Sequence, residues 1–410
     1  MGKNLVICCD GTGNQVEGNL SNVLKLFRIA QKNDDQRVYY NPGVGTIGTD
    51  DPWAQLKQNF YVVFGLATGY GMDADIVDAY RFLAEHYNEG DSIFLFGFSR
   101  GAYTVRALAA FINMVGLLPP DQSNIADYAL TSYKRAGKEH DLHLAWNFGN
   151  ITGGRDIKIK FIGVWDTVAS VFVPRPDRLY LPSLQRLPYT RTNPSVEIFR
   201  QAIAIDERRT MFRINRWIEP QPFVVKRFEE NVPPAEQDIK QVWFSGVHSD
   251  VGGGYPESES GLSKFPLGWM IQEATAHGLK IDDDIRNHLV LGTPRPGATN
   301  KYVLPNAAAT LHESLTPAWW MIEWWPKRVK YEDWPRPHVL GWYCPLGEPR
   351  LIQNPFDSVK PRIHQSVLDR MQLVSDYKPI NFPEYYDVEP LQPASLPDAH
   401  DVSPAPPTSV

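Results

Sequence analysis

Cysteine is scarce in this chain: Cys8, Cys9 and Cys344 are all that 410 residues contain. An odd count, with two of the three adjacent, gives neither a disulfide framework nor metal-ligand spacing, and suits a reducing compartment. Long basic runs are also missing, and the formal net charge is -6. That argues against a nucleic-acid partner, because phosphate binding needs a concentrated positive field. No stretch approaches 18 uninterrupted apolar residues, so no transmembrane helix is expected. Met1-Gly2-Lys3-Asn4 runs straight into Leu5–Cys9 with no apolar leader and no cleavage site, so no signal peptide is expected. Val6 stands where a myristoylation motif requires Ser or Thr. The resulting expectation is a cytoplasmic protein, compatible with export only by machinery that reads no such leader.

Apolar residues make up 43% of the sequence, enough for a large core. Leu5 to Cys9 is apolar on both faces and ends at Asp10-Gly11-Thr12-Gly13-Asn14, which suits a central parallel strand. Similar runs follow at Arg37–Tyr40, Ile93–Phe96, Ile157–Trp165 and Ile239–Phe244. Helical spacing marks a stretch capped by Ser21, then Met72–Tyr87, Ala102–Val115, Val196–Ile205 and Leu267–Ala276, with a further amphipathic stretch from Trp53 to Phe64. Strands alternating with helices predict an α/β fold, hydrolase-like, with a mostly parallel central sheet.

Residues 1–385 read as a single catalytic domain. Two polar, loop-like insertions, 117–155 and 172–195, are candidate lids, and 280–385 forms a C-terminal extension without clean alternation. Residues 386–410 are rich in proline and read as a disordered tail.

The sharpest local signal is Gly97-Phe98-Ser99-Arg100-Gly101. It has the G-x-S-x-G form of a strand-to-helix turn that lifts a nucleophilic serine above a sheet. The glycines let strand and helix approach, and the serine takes a strained backbone angle. A buried-strand pattern, Ser92 to Phe96, precedes it, and a strong helix pattern follows. The structural alternative is a tight turn without chemistry.

A serine nucleophile needs a base, and the base an orienting acid, in the chain order Ser, acid, His. Asp166 ends the strand Ile157–Trp165 and fits the acid; Asp250 is its rival. His248, between Val242–Val247 and a glycine-rich run, fits the base, with His312 and His364 as fallbacks. The N–H of Arg100, at the start of a helix, is a natural oxyanion donor. The turn after the first strand offers Gly11 or Thr12 as the second.

Two other chemistries are compatible with these residues. Asp10, Asp166, His248 and Asp250 could form an oxygen-rich metal site for phosphohydrolysis, and a non-catalytic binding role is the other. Trp319-Trp320-Met321-Ile322-Glu323-Trp324-Trp325, followed by Lys327 and Arg328, reads as core packing of a late helix. Its alternative is peripheral contact with a membrane, since tryptophan favours interfaces.

Taken together, CDGTGN at 9–14, GFSRGAYTVRALAAF at 97–111, GVWDTVAS at 163–170, AIAIDERR at 202–209, VWFSGVHSDVGGGY at 242–255, LHESLTPAWW at 311–320 and RIHQSVLDRM at 362–371 carry a resemblance. The chain resembles the α/β-hydrolase-domain family that includes the catalytic domain of Tle1-like type VI secretion phospholipase effectors. That resemblance implies an α/β-hydrolase fold, a Ser99–Asp166–His248 triad and no cofactor. It also implies esterase chemistry on an acyl-ester or lipid substrate, phospholipids being the substrates of the secreted relatives.

Overall fold

Apolar runs with alternating faces dictate the centre of the protein. In the computed structural model Asn4–Cys9 forms β1, flanked by β2 (Gln36–Asn41) and β3 (Ser92–Phe98). Leu5, Ile7 and Cys9 point into one hydrophobic layer, and Val6 and Cys8 into another, as a period of two requires. The structure describes residues 2–11, 19–43, 71–168, 172–174, 182–184, 187–224, 235–328, 338–353 and 359–391. The amphipathic stretch expected at Trp53 to Phe64 lies outside them, as do residues 392–410 of the proline-rich tail.

The sheet continues with β4 (Ile159–Trp165), β5 (Val196–Ala204), β6 (Asp238–Phe244), β7 (Arg362–His364) and β8 (Asp387–Glu389). Its eight strands lie in the order β8-β7-β6-β5-β4-β3-β1-β2 and every pairing is parallel. The order turns back between β3 and β1. At such a switch point the loops leaving two neighbouring strands diverge and open a crevice at their carboxyl ends.

Helices cover both faces. On one side lie α1 (Asn22–Ile29), α7 (Lys264–Ala276) and α8 (Asp283–Leu291), packed on Val6, Phe94, Phe96 and Phe161. On the other lie α2 (Met72–His86), α3 (Arg100–Val115), α4 (Ala126–Glu139) and α5 (His143–Ile151). A short α6 (His248–Gly252) follows β6, α9 spans Pro317–Glu323, and α10 (Gln365–Leu373) follows β7. Among the described residues no helix is long and apolar enough to cross a membrane.

Three expectations need correction. Val196–Ile205 is not a helix but the central strand β5; its apolar run fits either period, and flanking by β4 and β6 decides it. Residues 117–155 are not loop-like. Helices α4 and α5 place Ala129, Leu130, Tyr133, Ala136 and Ala145 in the core shared with α3. The reason lies in α3, whose residues are all buried; a largely apolar helix buried on every side needs a second layer outside it. Disorder does not begin at 386, because β8 pairs with β7 and its Glu389 accepts a hydrogen bond from Trp269 Nε1 at 3.0 Å. Of the other insertion, 175–181 and 185–186 lie outside the described residues.

Candidate active site

The turn after β3 is set by steric necessity. Ser99 adopts φ 58° and ψ −118° and caps α3, a strained backbone for a residue with a Cβ. A Cβ on Gly97 would fall 2.5 Å from the Gly101 carbonyl, and one on Gly101 would fall 2.1 Å from the Cys9 carbonyl. Only glycine at both positions lets β3 turn into α3 directly beneath β1. The half-exposed Ser99 thus stands above the sheet at the start of a helix, whose first N–H groups have no intrahelical acceptor. Arg100 contributes the first of them.

Asp166 follows β4, the strand next to β3, with φ 39° and no exposure to solvent. Its Oδ1 accepts from the Ala204 N–H at 2.9 Å, and its Oδ2 lies 2.5 Å from His248 Nδ1. His248 opens α6, beyond the end of β6. Two contacts bring it back toward the elbow at Ser99. Its ring lies 4.6 Å from that of Phe98, the residue before Ser99. Gly252, at the far end of α6, packs so tightly on Phe98 that a Cβ there would overlap the ring at 1.8 Å. Phe212 closes the imidazole from another side, edge-on at 4.8 Å.

The charges around this pair are organised by residues that the motifs did not single out. Arg350 donates to both Asp166 oxygens, NH1 to Oδ1 at 2.5 Å and NH2 to Oδ2 at 2.9 Å. Glu207, just past β5, accepts from the His248 N–H at 3.2 Å, from the Arg209 guanidinium at 2.8 and 2.9 Å, and from Ser314 Oγ at 3.0 Å. Burial alone would raise the Asp166 carboxyl, but Arg350 and His248 hold it well below the usual carboxylate range. Glu207 is likewise raised by burial and pulled down by Arg209, Arg350 and His248, to about 2. Burial lowers His248 below the ordinary imidazole value, and Asp166 only partly offsets this. That direction favours the neutral imidazole.

The rival acid Asp250 belongs to a different pair. Its Oδ1 lies 2.6 Å from His312 Nδ1, its Oδ2 accepts from the Val247 N–H at 3.0 Å, and His312 Nε2 lies 3.0 Å from Glu259. Tyr255 stacks on the His312 ring at 3.5 Å. The fallback histidines are thus both placed elsewhere: His312 on Asp250, and His364 buried against Phe244 with its Nδ1 on Ser366. Asp10 is held by Ser21, Tyr40 and the N–H of Gly11. The Gly11 amide is therefore committed to its neighbour's carboxylate at 2.7 Å, which removes it from the pair of early-loop oxyanion donors. Thr12 lies outside the described residues. Among the described residues no three His, Cys, Asp or Glu side chains gather as a metal-ligand set, so Asp10, Asp166, His248 and Asp250 do not converge.

Sequence reasoning missed Glu207 and Arg350. Glu207 would have surfaced had Val196–Ala204 been read as a strand, since it sits just beyond that strand's carboxyl end. Arg350 lies in an irregular stretch around Gly347-Glu348-Pro349 and carries no local signal.

A parallel sheet covered on both faces, with a serine elbow and an Asp–His pair along one rim, defines an α/β protein of the hydrolase-like class. Residues 3–273 match the family described as T6SS, phospholipase effector Tle1-like, catalytic domain, and the chain belongs to that family. It is 33% identical over 243 residues to the uncharacterized protein YEL023C of Saccharomyces cerevisiae, covering 55% of this chain and 34% of that one. A crystal structure of an uncharacterized protein from Pseudomonas aeruginosa is similar at 19% identity and a TM-score of 0.38, over 70% of this chain and 47% of the other. A Tle1 effector bound to the VgrG spike of the Type 6 secretion system is similar at 20% identity and a TM-score of 0.30, over 64% and 53%. The chain thus spans about a third of the yeast relative's length and about half that of each solved chain.

Proposed function

We propose that this protein is a serine hydrolase that cleaves the carboxylic esters of lipids, phospholipids foremost. Ser99 Oγ attacks the ester carbonyl while His248 takes its proton. Asp166 fixes the histidine tautomer and supports the imidazolium that forms. The N–H of Arg100 holds the oxyanion, with Thr12 as the second donor expected from the turn after β1. The alcohol leaves with the proton from His248, and water, deprotonated in turn by the same imidazole, releases the acid from Ser99. The observations that support this reading are the buried Asp166–His248 contact, the positive φ of Ser99 at a strand-to-helix elbow, and the packing of the His248 ring on Phe98, the residue before Ser99. Membership of a phospholipase effector family supports the lipid substrate.

Contact with a lipid surface is part of the same proposal. The tryptophan-rich segment divides instead of entering the core whole. Glu323 is buried, receiving hydrogen bonds from the N–H and hydroxyl of Thr210, while Met321, Trp324 and Trp325 are exposed. Val339, Leu340 and Trp342 are exposed nearby in sequence, on the tight turn leading into the strand that pairs Lys327 with Tyr343. Trp319, in the same helix, meets Phe212 edge-on at 5.6 Å, and Phe212 covers His248. Exposed apolar residues in a segment joined to the site by two rings suit an enzyme whose substrate lies in a bilayer.

The test is a series of p-nitrophenyl esters of rising chain length beside phospholipid vesicles, with Ser99→Ala as control. Turnover that rises with chain length and disappears in the variant supports the proposal. Full turnover by a folded Ser99→Ala protein overturns it. Loss of activity on chelation, with no labelling by a fluorophosphonate, would favour metal-dependent chemistry instead.

A further inference from the structure

The acid of the Asp166–His248 pair is itself gripped from behind by a residue beyond the family's matched segment. Arg350 is almost wholly buried and lies past residue 273, where that match ends. Its NH1 bonds Asp166 Oδ1 and the Ala204 carbonyl, the latter at 2.9 Å; its NH2 bonds Asp166 Oδ2 and the Phe212 carbonyl at 2.5 Å. The backbone is fixed as well, because Asn381 Nδ2 donates to the Arg350 carbonyl at 2.7 Å. One planar fork therefore ties together the acid after β4, the end of β5 and the loop whose Phe212 ring covers the histidine.

We infer that Arg350 is a positioning residue for the reaction: it locks both oxygens of Asp166 so that Oδ2 stays turned to His248 Nδ1. The inference rests on the proposed hydrolase reading for its kinetic consequences only. A carboxylate held at both oxygens has no freedom to rotate, and Oδ2 is shared between the guanidinium and the imidazole. Lysine cannot reproduce this, because an ammonium is a point charge without the fork. The arginine also sets the charge balance at the base. The charged groups facing His248 are Asp166 after β4 and Glu207 and Arg209 after β5, with Arg350 behind Asp166; Phe98 and Phe212 present uncharged rings. Removing the Arg350 charge leaves Asp166 less compensated, favours protonated His248 and moves the base's titration to higher pH.

Arg350→Lys and Arg350→Gln in the full chain separate position from charge. Both are expected to lower kcat by roughly ten- to a hundredfold, since small misplacements of a catalytic group have that effect, with KM within about twofold. Only Arg350→Gln should move the acid limb of the kcat/KM profile upward, by about one pH unit. The His248 titration, followed by NMR of the imidazole and assigned by its loss in His248→Gln, gives a readout free of turnover. Near-UV circular dichroism establishes that each variant is folded. Should Arg350→Gln not fold, Arg350→Lys alone carries the kcat-against-KM test. A folded Arg350→Lys with wild-type kcat overturns the inference, as does a His248 midpoint unmoved in a folded Arg350→Gln. If the wild-type protein turns over no ester, the hydrolase reading fails while the NMR arm still decides the role of Arg350.

Discussion

The two halves of the candidate site are built in opposite ways. The elbow side is made by one continuous segment, β3–Ser99–α3, and held by backbone clearances: Gly97 against Gly101, and Gly101 against Cys9. The Asp166–His248 side is made by residues from distant segments. Asp166, Ala204, Glu207, Phe212, His248, Ser314 and Arg350 meet through hydrogen bonds and ring contacts. A backbone-defined half tolerates no added atom at its glycines. A side-chain-defined half is tuned by charge and falls apart in steps.

The largest effect that would break this contrast is chemical. Ser99→Ala should reduce ester turnover by at least about 10⁴-fold with an unchanged unfolding temperature, measured on p-nitrophenyl esters and by circular dichroism. Next comes Gly101→Ala. Its methyl group would overlap backbone oxygens of Cys9 and Asp10, which cannot rotate away, so destabilisation of about 3 kcal/mol or more is expected in urea melts. On the other half the response should be graded and dependent on pH. Glu207 is held near 2 in the folded protein, against about 4.3 in an unfolded chain. Its contribution to stability is complete above the unfolded value and is lost as pH falls toward the folded one. On the order of 3 kcal/mol should disappear between about pH 5 and 2, and Glu207→Gln should flatten that limb of a denaturation series. The smallest effect concerns neither half. Replacing exposed Trp324 and Trp325 together by alanine should leave soluble-ester turnover and stability within error and weaken vesicle binding by about tenfold or more. Equal binding by the variant in vesicle sedimentation would remove the lipid-surface proposal and leave the site untouched.

The same contrast explains what could be read in the sequence. The elbow was legible because its determinants are neighbours: an apolar strand, two glycines, a serine and a helix within about two dozen residues. Central strands were legible from runs such as Leu5–Cys9. β5 was misread because VEIFRQAIA is apolar enough for either period, and only the strands on each side settle it. β7 and β8 escaped because strands of three residues carry too little pattern. Ala126, Ala129, Leu130, Tyr133 and Ala136 of α4 do follow helical spacing, but charged residues between them hid it. Asp166 and His248 were named from chain order, and the structure adds the contact between them. Of the residues that hold that contact, Glu207 was passed over with the misread β5, although it lies within the AIAIDERR segment, and Arg350 was invisible because its role depends wholly on partners remote in the chain.

The burial of α3 on every side has a consequence for how the protein opens. With the sheet on one side and α4 and α5 on the other, all of its residues are buried. The amide protons of residues 104–115 can then exchange with solvent only when these layers separate, so their protection should track the stability of the whole molecule. Ser99, the proposed nucleophile, is mounted on the part of the chain that is last to loosen.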